Sequence, residues 1–467
     1  MERFDVIVIG AGLAGLLTAA MLGRLGRRVV VLERESAPGG RLRSFEHDGF
    51  VVDAGAYLWP NAWLDEALVR AGATSFRGST IPNDQVMRVF VQGGGGRRLS
   101  FPWPGRRASA SALETAAAAL RIDAKTYADL VLLWERLAAL EEEDVEALRH
   151  VPAVEALARL RVPPEVAEAF LRNVMMFGTY APASASMAEC IRLHRRTPGE
   201  RRGRPECAGA NAEGGVRAIV SSLREAAEAA GVEIRLGSRV EQILLAAGRA
   251  RGVAVRDARA TPVRIEADAV VANVPIWELL SIASADVFPP ALAESARSWR
   301  AVGGVVAAAF AFDGLPRLRE TGEPDRFLGW TRLLTGPDAS FGGGFLWSSH
   351  HSPRNAPEGK HVLQAMRLTA HEETADPRRA LEILASFTAM LDEIFLDARH
   401  RRLWQRSWVT HDGTEYLVGA GPRPPVRIPG VDGLYLVGET TDVPAIQMDA
   451  AALSALQCAE TISRGVA

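Results

Sequence analysis

Residues Asp5 to Gly23, DVIVIGAGLAGLLTAAMLG, constrain this chain more than any other stretch. Beyond Asp5 the segment carries no charge, so an export signal, a membrane span and a buried structural unit are the readings open to it. An export signal needs a basic start, an apolar middle and a small-residue cleavage site. The chain instead opens Met1-Glu2-Arg3-Phe4-Asp5 and has no such site. A spanning helix needs about 20 apolar residues, and the glycines at positions 10, 12 and 15 weaken its first half. The third reading accounts for each glycine. Val6-Ile7-Val8-Ile9 is a β-branched run suited to a buried parallel strand, Gly10-Ala11-Gly12-Leu13-Ala14-Gly15 fits GxGxxG, and Leu16 to Leu25 continues as a helix.

In that order the three pieces predict a dinucleotide-binding turn. Gly10 permits the tight turn, Gly12 lets backbone approach a diphosphate, and Gly15 lets helix and strand pack closely. The phosphates would sit at the helix N-terminus, where free N–H groups and the dipole favour negative charge. A second strand, Arg28 to Leu32, ends at Glu33, placed 18 residues after Gly15, near the separation expected of an acid that binds ribose hydroxyls. Such an acid also disfavours the 2′-phosphate of NADP.

Composition narrows the remainder. At 467 residues, 48% hydrophobic and 24% charged, the chain has the make-up of a globular protein large enough for two intertwined domains and a sizeable ligand. A formal net charge of -2 excludes the basic surplus of nucleic-acid binders. Cys190, Cys207 and Cys458 are odd in number and scattered, with no CxxC and no histidines at zinc-ligand spacing, which predicts no metal centre and fits a reducing, cytoplasmic setting. Lysine occurs only at Lys125 and Lys360.

Downstream of Glu33 the chain reads RESAPGGRLRSFEHDGFVVDAGAY. The glycine fingerprint, then an acid, then Gly39-Gly40-Arg41, then Asp53-Ala54-Gly55 resembles the start of the two-dinucleotide-binding-motif flavoproteins, the superfamily of phytoene desaturases, carotenoid isomerases, protoporphyrinogen oxidases and flavin amine oxidases. Glu213 to Ile243 is similar to the helix and strand that return to the nucleotide domain in that superfamily, and ADAVVANVP, Ala267 to Pro275, to the strand that leaves it. Gly433 to Ile462, GLYLVGETTDVPAIQMDAAALSALQCAETI, resembles its closing strand, Gly-Glu step and terminal helix. The resemblance implies non-covalent FAD: no cysteine or histidine lies between Val443 and Ala451 to form a flavin link.

The implied cofactor contacts follow the chain. Gly10, Gly12, Leu13, Ala14 and Gly15 would receive the diphosphate, with Glu33 and Arg34 on the adenosine side and Val240 offering its backbone to adenine. Gly40 and Arg41 would meet the diphosphate, while Gly55, Ala56 and Tyr57 pass the flavin. Gly438 and Glu439 would bind ribityl or ribose hydroxyls. Gln447, Met448 and Ala451 open the helix whose positive end faces flavin N1 and O2. The family usually has a glycine between Val443 and Ala451, and this chain has none.

The fold expected is α/β: a Rossmann-type FAD-binding domain from residues 1–79, 211–275 and 426–467, and a discontinuous α+β substrate domain, strands backed by helices, from 80–210 and 276–425. VMRVFVQGGGGRRLSFP reads as a hairpin, 109–172 as helices, and VVAAAFAF, GGFLWSSHH and KHVLQAMRL as strands. On a strand, His350 and His351 would face opposite ways and are read as ordinary histidines. Tyr57 and Trp59 follow a segment that passes the flavin and are candidates for the pocket wall as much as for the core. Lys360 is a weak candidate for the lysine that flavin amine oxidases place near N5; its context, APEGKHVL, favours a turn before a strand.

The reaction the resemblance implies is hydride transfer from a small apolar, polyene-like substrate to flavin N5, in the manner of a desaturase. Amine or protoporphyrinogen oxidation, redox-neutral isomerisation, and a non-catalytic role like that of Rab GDP-dissociation inhibitors are the alternatives. The electron acceptor and oligomeric state leave no signature in the sequence. An amphipathic cavity mouth could touch a membrane peripherally to collect lipid.

Overall fold

The computed structural model describes residues 2–55, 62–73, 78–82, 87–91, 96–99, 117, 122–176, 181–195, 207–256, 262–283, 288–299, 303–335, 340–413, 418 and 423–465. Ala56, Tyr57 and Trp59 lie outside the described residues.

One seven-stranded sheet is organised by the apolar strand Glu2–Ile9. Parallel neighbours surround it in the order Leu434–Leu436, Pro262–Ala272, Glu2–Ile9, Val29–Leu32 and Glu233–Arg235. The first half of Pro262–Ala272 pairs instead with the antiparallel ribbon Arg239–Ala246 and Arg249–Arg256. Side chains of Glu2–Ile9 alternate between two cores, as a strand buried on both faces requires. Val6 and Val8 meet the helices Leu13–Arg24, Ala62–Ala71, Arg217–Ala229 and Gln447–Arg464. Ile7 and Ile9 meet the ribbon and the helices Ile276–Ile282 and Pro290–Trp299.

A second seven-stranded sheet runs Arg402–Gly413, Gly303–Phe312, His361–Thr369, Ser340–Trp347, Trp330–Thr335, Met87–Val91, Gly96–Leu99. Segments more than two hundred positions apart meet in it, since Met87–Val91 lies parallel to Trp330–Thr335. Gly303–Phe312 is built of small residues until Phe310, Ala311 and Phe312. Val306, Ala308, Phe310 and Phe312 pack on Phe387, Met390 and Leu391 of the helix Pro377–Ile394. Ala309 and Ala311 face Phe50 and Val52 of the hairpin Ser44–Asp53 on the other side. Val89 reaches from that side of the sheet into a layer of helices whose core holds Tyr127, Trp134 and Phe170. The strands Gly78–Pro82 and Cys207–Ala212 pair where the chain enters and leaves this layer.

His350 and His351 are not on a strand. Ser340–Trp347 ends at Trp347, and both histidines fall in the short helix Ser348–His351. Each ring is bonded to the loop preceding Trp330–Thr335, His350 Nδ1 to Phe327 O at 3.2 Å and His351 Nε2 to Leu328 O at 2.6 Å. Burial pushes each down to about 4, so both are neutral and donate to those carbonyls.

Candidate functional site

The C-terminal ends of the parallel strands carry the glycine-rich segments. At the end of the first strand, Gly10 has φ of 94°, a conformation that favours glycine. A Cβ on Gly15 would stand 2.2 Å from Gly10 O, and one on Gly12 would stand 2.6 Å from Asn273 Nδ2. The helix Leu13–Arg24 thus starts at a glycine N-cap with no side-chain cap and no acid in its first turn. Backbone N–H groups at its start, Leu13 and Ala14 among them, are left for an anion. Both of those side chains are buried, so what they offer a ligand is main chain.

Glu33 ends the second strand, buried, with Oε2 accepting from Ala11 N at 2.7 Å and Oε1 from Glu35 N at 2.9 Å. Its carbonyl accepts from Ser238 N at 2.7 Å, which brings Val240 alongside. Val240 sits at a register shift in the ribbon, its side chain buried. Arg34 turns outward to Glu278 at 3.0 Å.

Gly39 N donates to Ala11 O at 2.8 Å, so the Gly39-Gly40-Arg41 turn lies against the fingerprint. Gly55 is pressed on that turn: a Cβ there would fall 1.6 Å from Arg41 O. Arg41 Nη1 meets Glu439 Oε1 at 2.5 Å, joining residues 398 positions apart. The glycine fingerprint and the C-terminal Gly438-Glu439 step are thereby brought together.

At the far end, Gly438 has φ of 127°, and its N donates to Ser454 Oγ of the helix Gln447–Arg464 at 2.9 Å. That helix starts at Ile446 without a side-chain cap. Gln447, its first residue, takes φ of 50°, so a non-glycine residue adopts the left-handed backbone that glycine would accept at lower cost. Met448 and Ala451 are buried in the core under the helix. Asp449, fully buried in the first turn, accepts from Leu64 N at 3.1 Å. Arg149 Nη2, from the helical layer, donates to Val443 O at 3.1 Å and meets Asp442 at 2.6 Å.

Three residues that sequence reasoning did not single out help to build the site. Gln364, fully buried on Gly303–Phe312's neighbouring strand, donates from Nε2 to Asp53 O at 2.6 Å and ties the second sheet to the Asp53–Gly55 step. Asn273 stands among the fingerprint glycines. Arg423 donates to Glu439 O at 3.4 Å while its guanidinium lies 4.7 Å from the centre of the Trp299 ring. Of these, Asn273 and Gln364 fell in quoted segments, and there both read as strand. Lys360 is exposed, its N closing a turn on Pro357 O at 2.9 Å, and Lys125 is exposed on the helix Ala124–Ala138. Among the described residues no three metal-ligating side chains gather, and no helix is long and apolar enough to cross a membrane.

An uncapped helix start behind a cradle that a Cβ would fill, a buried acid beside it, and a second uncapped helix beyond the Gly438-Glu439 step suit a dinucleotide with a second ring system. These features are those of an FAD-binding fold. The sequence profile described as flavin containing amine oxidoreductase matches residues 13–463, and the chain belongs to that family. Hydroxyneurosporene desaturase of Rubrivivax gelatinosus is 28% identical over 296 residues, 58% of this chain and 54% of that protein. Inactive all-trans-retinol 13,14-reductase of Danio rerio is 45% identical over 71 residues, 14% of this chain and 12% of that protein. The aligned stretches thus span about half or less of these relatives. Among solved structures, an oxidoreductase from Methanosarcina mazei superposes with a TM-score of 0.70 at 21% identity, covering 98% of this chain and 100% of its own. Putrescine oxidase bound to putrescine gives 0.69 at 16% identity, with 99% of each chain covered. These two likenesses concern the fold.

Proposed function

We propose that this protein dehydrogenates a small apolar substrate, of isoprenoid or polyene type, by hydride transfer to FAD. Bound FAD supplies the hydride acceptor at flavin N5. The chain's residues supply position: Glu33 and the fingerprint hold one end of the cofactor, Glu439 and the start of Gln447–Arg464 the other. Arg149 joins the helical layer to the segment before that helix. The sheet face that receives the Asp53–Gly55 step carries Ala309, Ala311 and Val362, with Trp330, Leu346 and Met366 clustered further along. Ala309, Ala311 and Val362 are covered by Phe50 and Val52, so the Trp330, Leu346 and Met366 cluster, with Met366 half-buried, is the part that would face an apolar substrate and exclude water beside the flavin. Residues 80–210 and 276–425 would form this substrate side.

The observation that carries the preference over amine oxidation is the position of the lysines. Lys125 and Lys360 are the chain's full complement, and both are exposed, so neither is available as a buried base beside N5. The 296-residue match to a desaturase points the same way. The test is anaerobic mixing of the FAD-loaded protein with polyenes, amines and porphyrinogens while flavin absorbance is followed. Bleaching by polyenes alone is the expected result. Bleaching by amines or porphyrinogens alone would replace the substrate class. A protein that takes up no FAD would make it a binding protein of the GDP-dissociation-inhibitor kind.

A further inference from the structure

We infer that Asn273 is a cofactor-binding residue, its side-chain amide donating from Nδ2 to an oxygen of the FAD diphosphate at the seam between the two chain ends that grip the dinucleotide. The inference rests on the family's cofactor and adds a contact from the middle of the chain. Three parallel strands end side by side, with Ile9 opposite Ala272 and Ala272 opposite Leu436. Asn273 is the next residue of the central strand. Its N donates to Ile9 O at 2.8 Å, and Val437 N donates to Ala272 O at 3.0 Å, so its backbone is tied to both flanking segments.

The side chain lies over the fingerprint. Cβ atoms on Gly12 and Gly15 would stand 2.6 and 3.1 Å from Nδ2, and one on Gly438 would stand 3.6 Å from Oδ1. The amide therefore spans from the diphosphate end toward the ribityl end. Its orientation follows from Gly10 O, which only accepts and faces Nδ2 at 3.5 Å. That bond is long, the residue is only half-buried, and an amide nitrogen carries two hydrogens, so donor capacity remains for a ligand. A diphosphate presents acceptors only, and a neutral donor beside an uncapped helix start matches it. A carboxylate of the same shape would repel it.

Asn273→Asp and Asn273→Ala test this, with apoprotein titrated by FAD and flavin fluorescence followed, and with the melting temperature of each apoprotein as the control for folding. Asn273→Asp is expected to weaken FAD binding about tenfold or more, the cost of turning a donor to phosphate into a like charge, and to recover part of that in salt. Asn273→Ala should weaken it less, and both apoproteins should melt as the wild type does. An Asp variant that binds FAD as tightly as the wild type would overturn the inference. So would FAD losses in both variants that track a lowered apoprotein melting temperature, because Asn273 would then only prop the glycine turn. A wild-type apoprotein that takes up no FAD would overturn the cofactor assignment and this contact together.

Discussion

The sheet around Glu2–Ile9 is covered by helices on both faces, whereas the sheet around Gly303–Phe312 is backed by one long helix and gives its alanine-bearing face to a hairpin and a helical layer. The first presents main chain at its strand ends: glycines stand where a Cβ would strike backbone, and helix starts lack side-chain caps. The second is held by side chains from remote segments. Arg88 and Asp325, 4% and 1% exposed, form a two-bond ion pair at 2.8 and 2.7 Å, with Thr331 and Trp347 completing it. One half of the molecule is shaped by what residues lack, the other by what they reach.

If that contrast holds, damage to the second sheet should cost folding and damage to the first should cost cofactor. Arg88→Leu strands the buried Asp325 carboxylate and should lose about 3–5 kcal/mol of stability, read by denaturant titration. The folded fraction should still bind FAD with wild-type stoichiometry, and a colourless folded variant would break the contrast. Gly55→Ala drives a methyl into Arg41 O. Overpacking of this kind costs about 1–3 kcal/mol, and carried by the bound state it weakens FAD affinity about 10- to 100-fold. Equilibrium dialysis would show it.

Two buried acids, Asp53 and Asp325, sharpen the comparison through pH. Burial raises Asp53 above its ordinary 3.8, against the opposing bonds from Ser44 and Val216 N and the charge of Arg217. A raised acid contributes stability fully below the unfolded value and loses it as pH rises through the folded value. Asp325 behaves in reverse: burial would raise it, but Arg88 and Trp347 outweigh burial and hold it low. Its contribution is present above the unfolded value and lost as pH falls through the folded one. Asp53→Asn, which keeps an acceptor for Ser44 and Val216 N, should therefore gain on the wild type as pH rises above the unfolded value of about 4. The gain should stay under about 1.5 kcal/mol, one hydrogen bond's worth. Asp325→Asn should lose over the same range. Thermal melts across pH would separate them, and parallel slopes would contradict the assignment. The smallest effect belongs to Lys360→Met, which should leave flavin reduction by substrate within about twofold, as a solvated surface charge would. A large loss would restore amine chemistry.

Much of the first region was legible because its signals are local. The GxGxxG turn, Glu33, the Gly39-Gly40-Arg41 turn and the Gly438-Glu439 step each declare themselves within a few residues. The missing glycine near Ile446 was legible as a gap; that Gln447 accepts φ of 50° in its place was not, since backbone conformation there is imposed by the helix and the core beneath it. His350 and His351 misled because an apolar run that ends in a four-residue helix has the same letters as one that continues as a strand.

By itself the sequence determined the dinucleotide fold and the FAD family, because glycine placement and strand periodicity act over a few residues and need no partner. Tertiary structure alone decided which distant segments share the second sheet, that Arg41 meets Glu439, that Gln364 holds Asp53, and that Asn273 stands among the fingerprint glycines. Each of those is a meeting of side chains far apart in the chain, and such meetings are set by the burial and hydrogen-bond needs of the whole core, which no local pattern records.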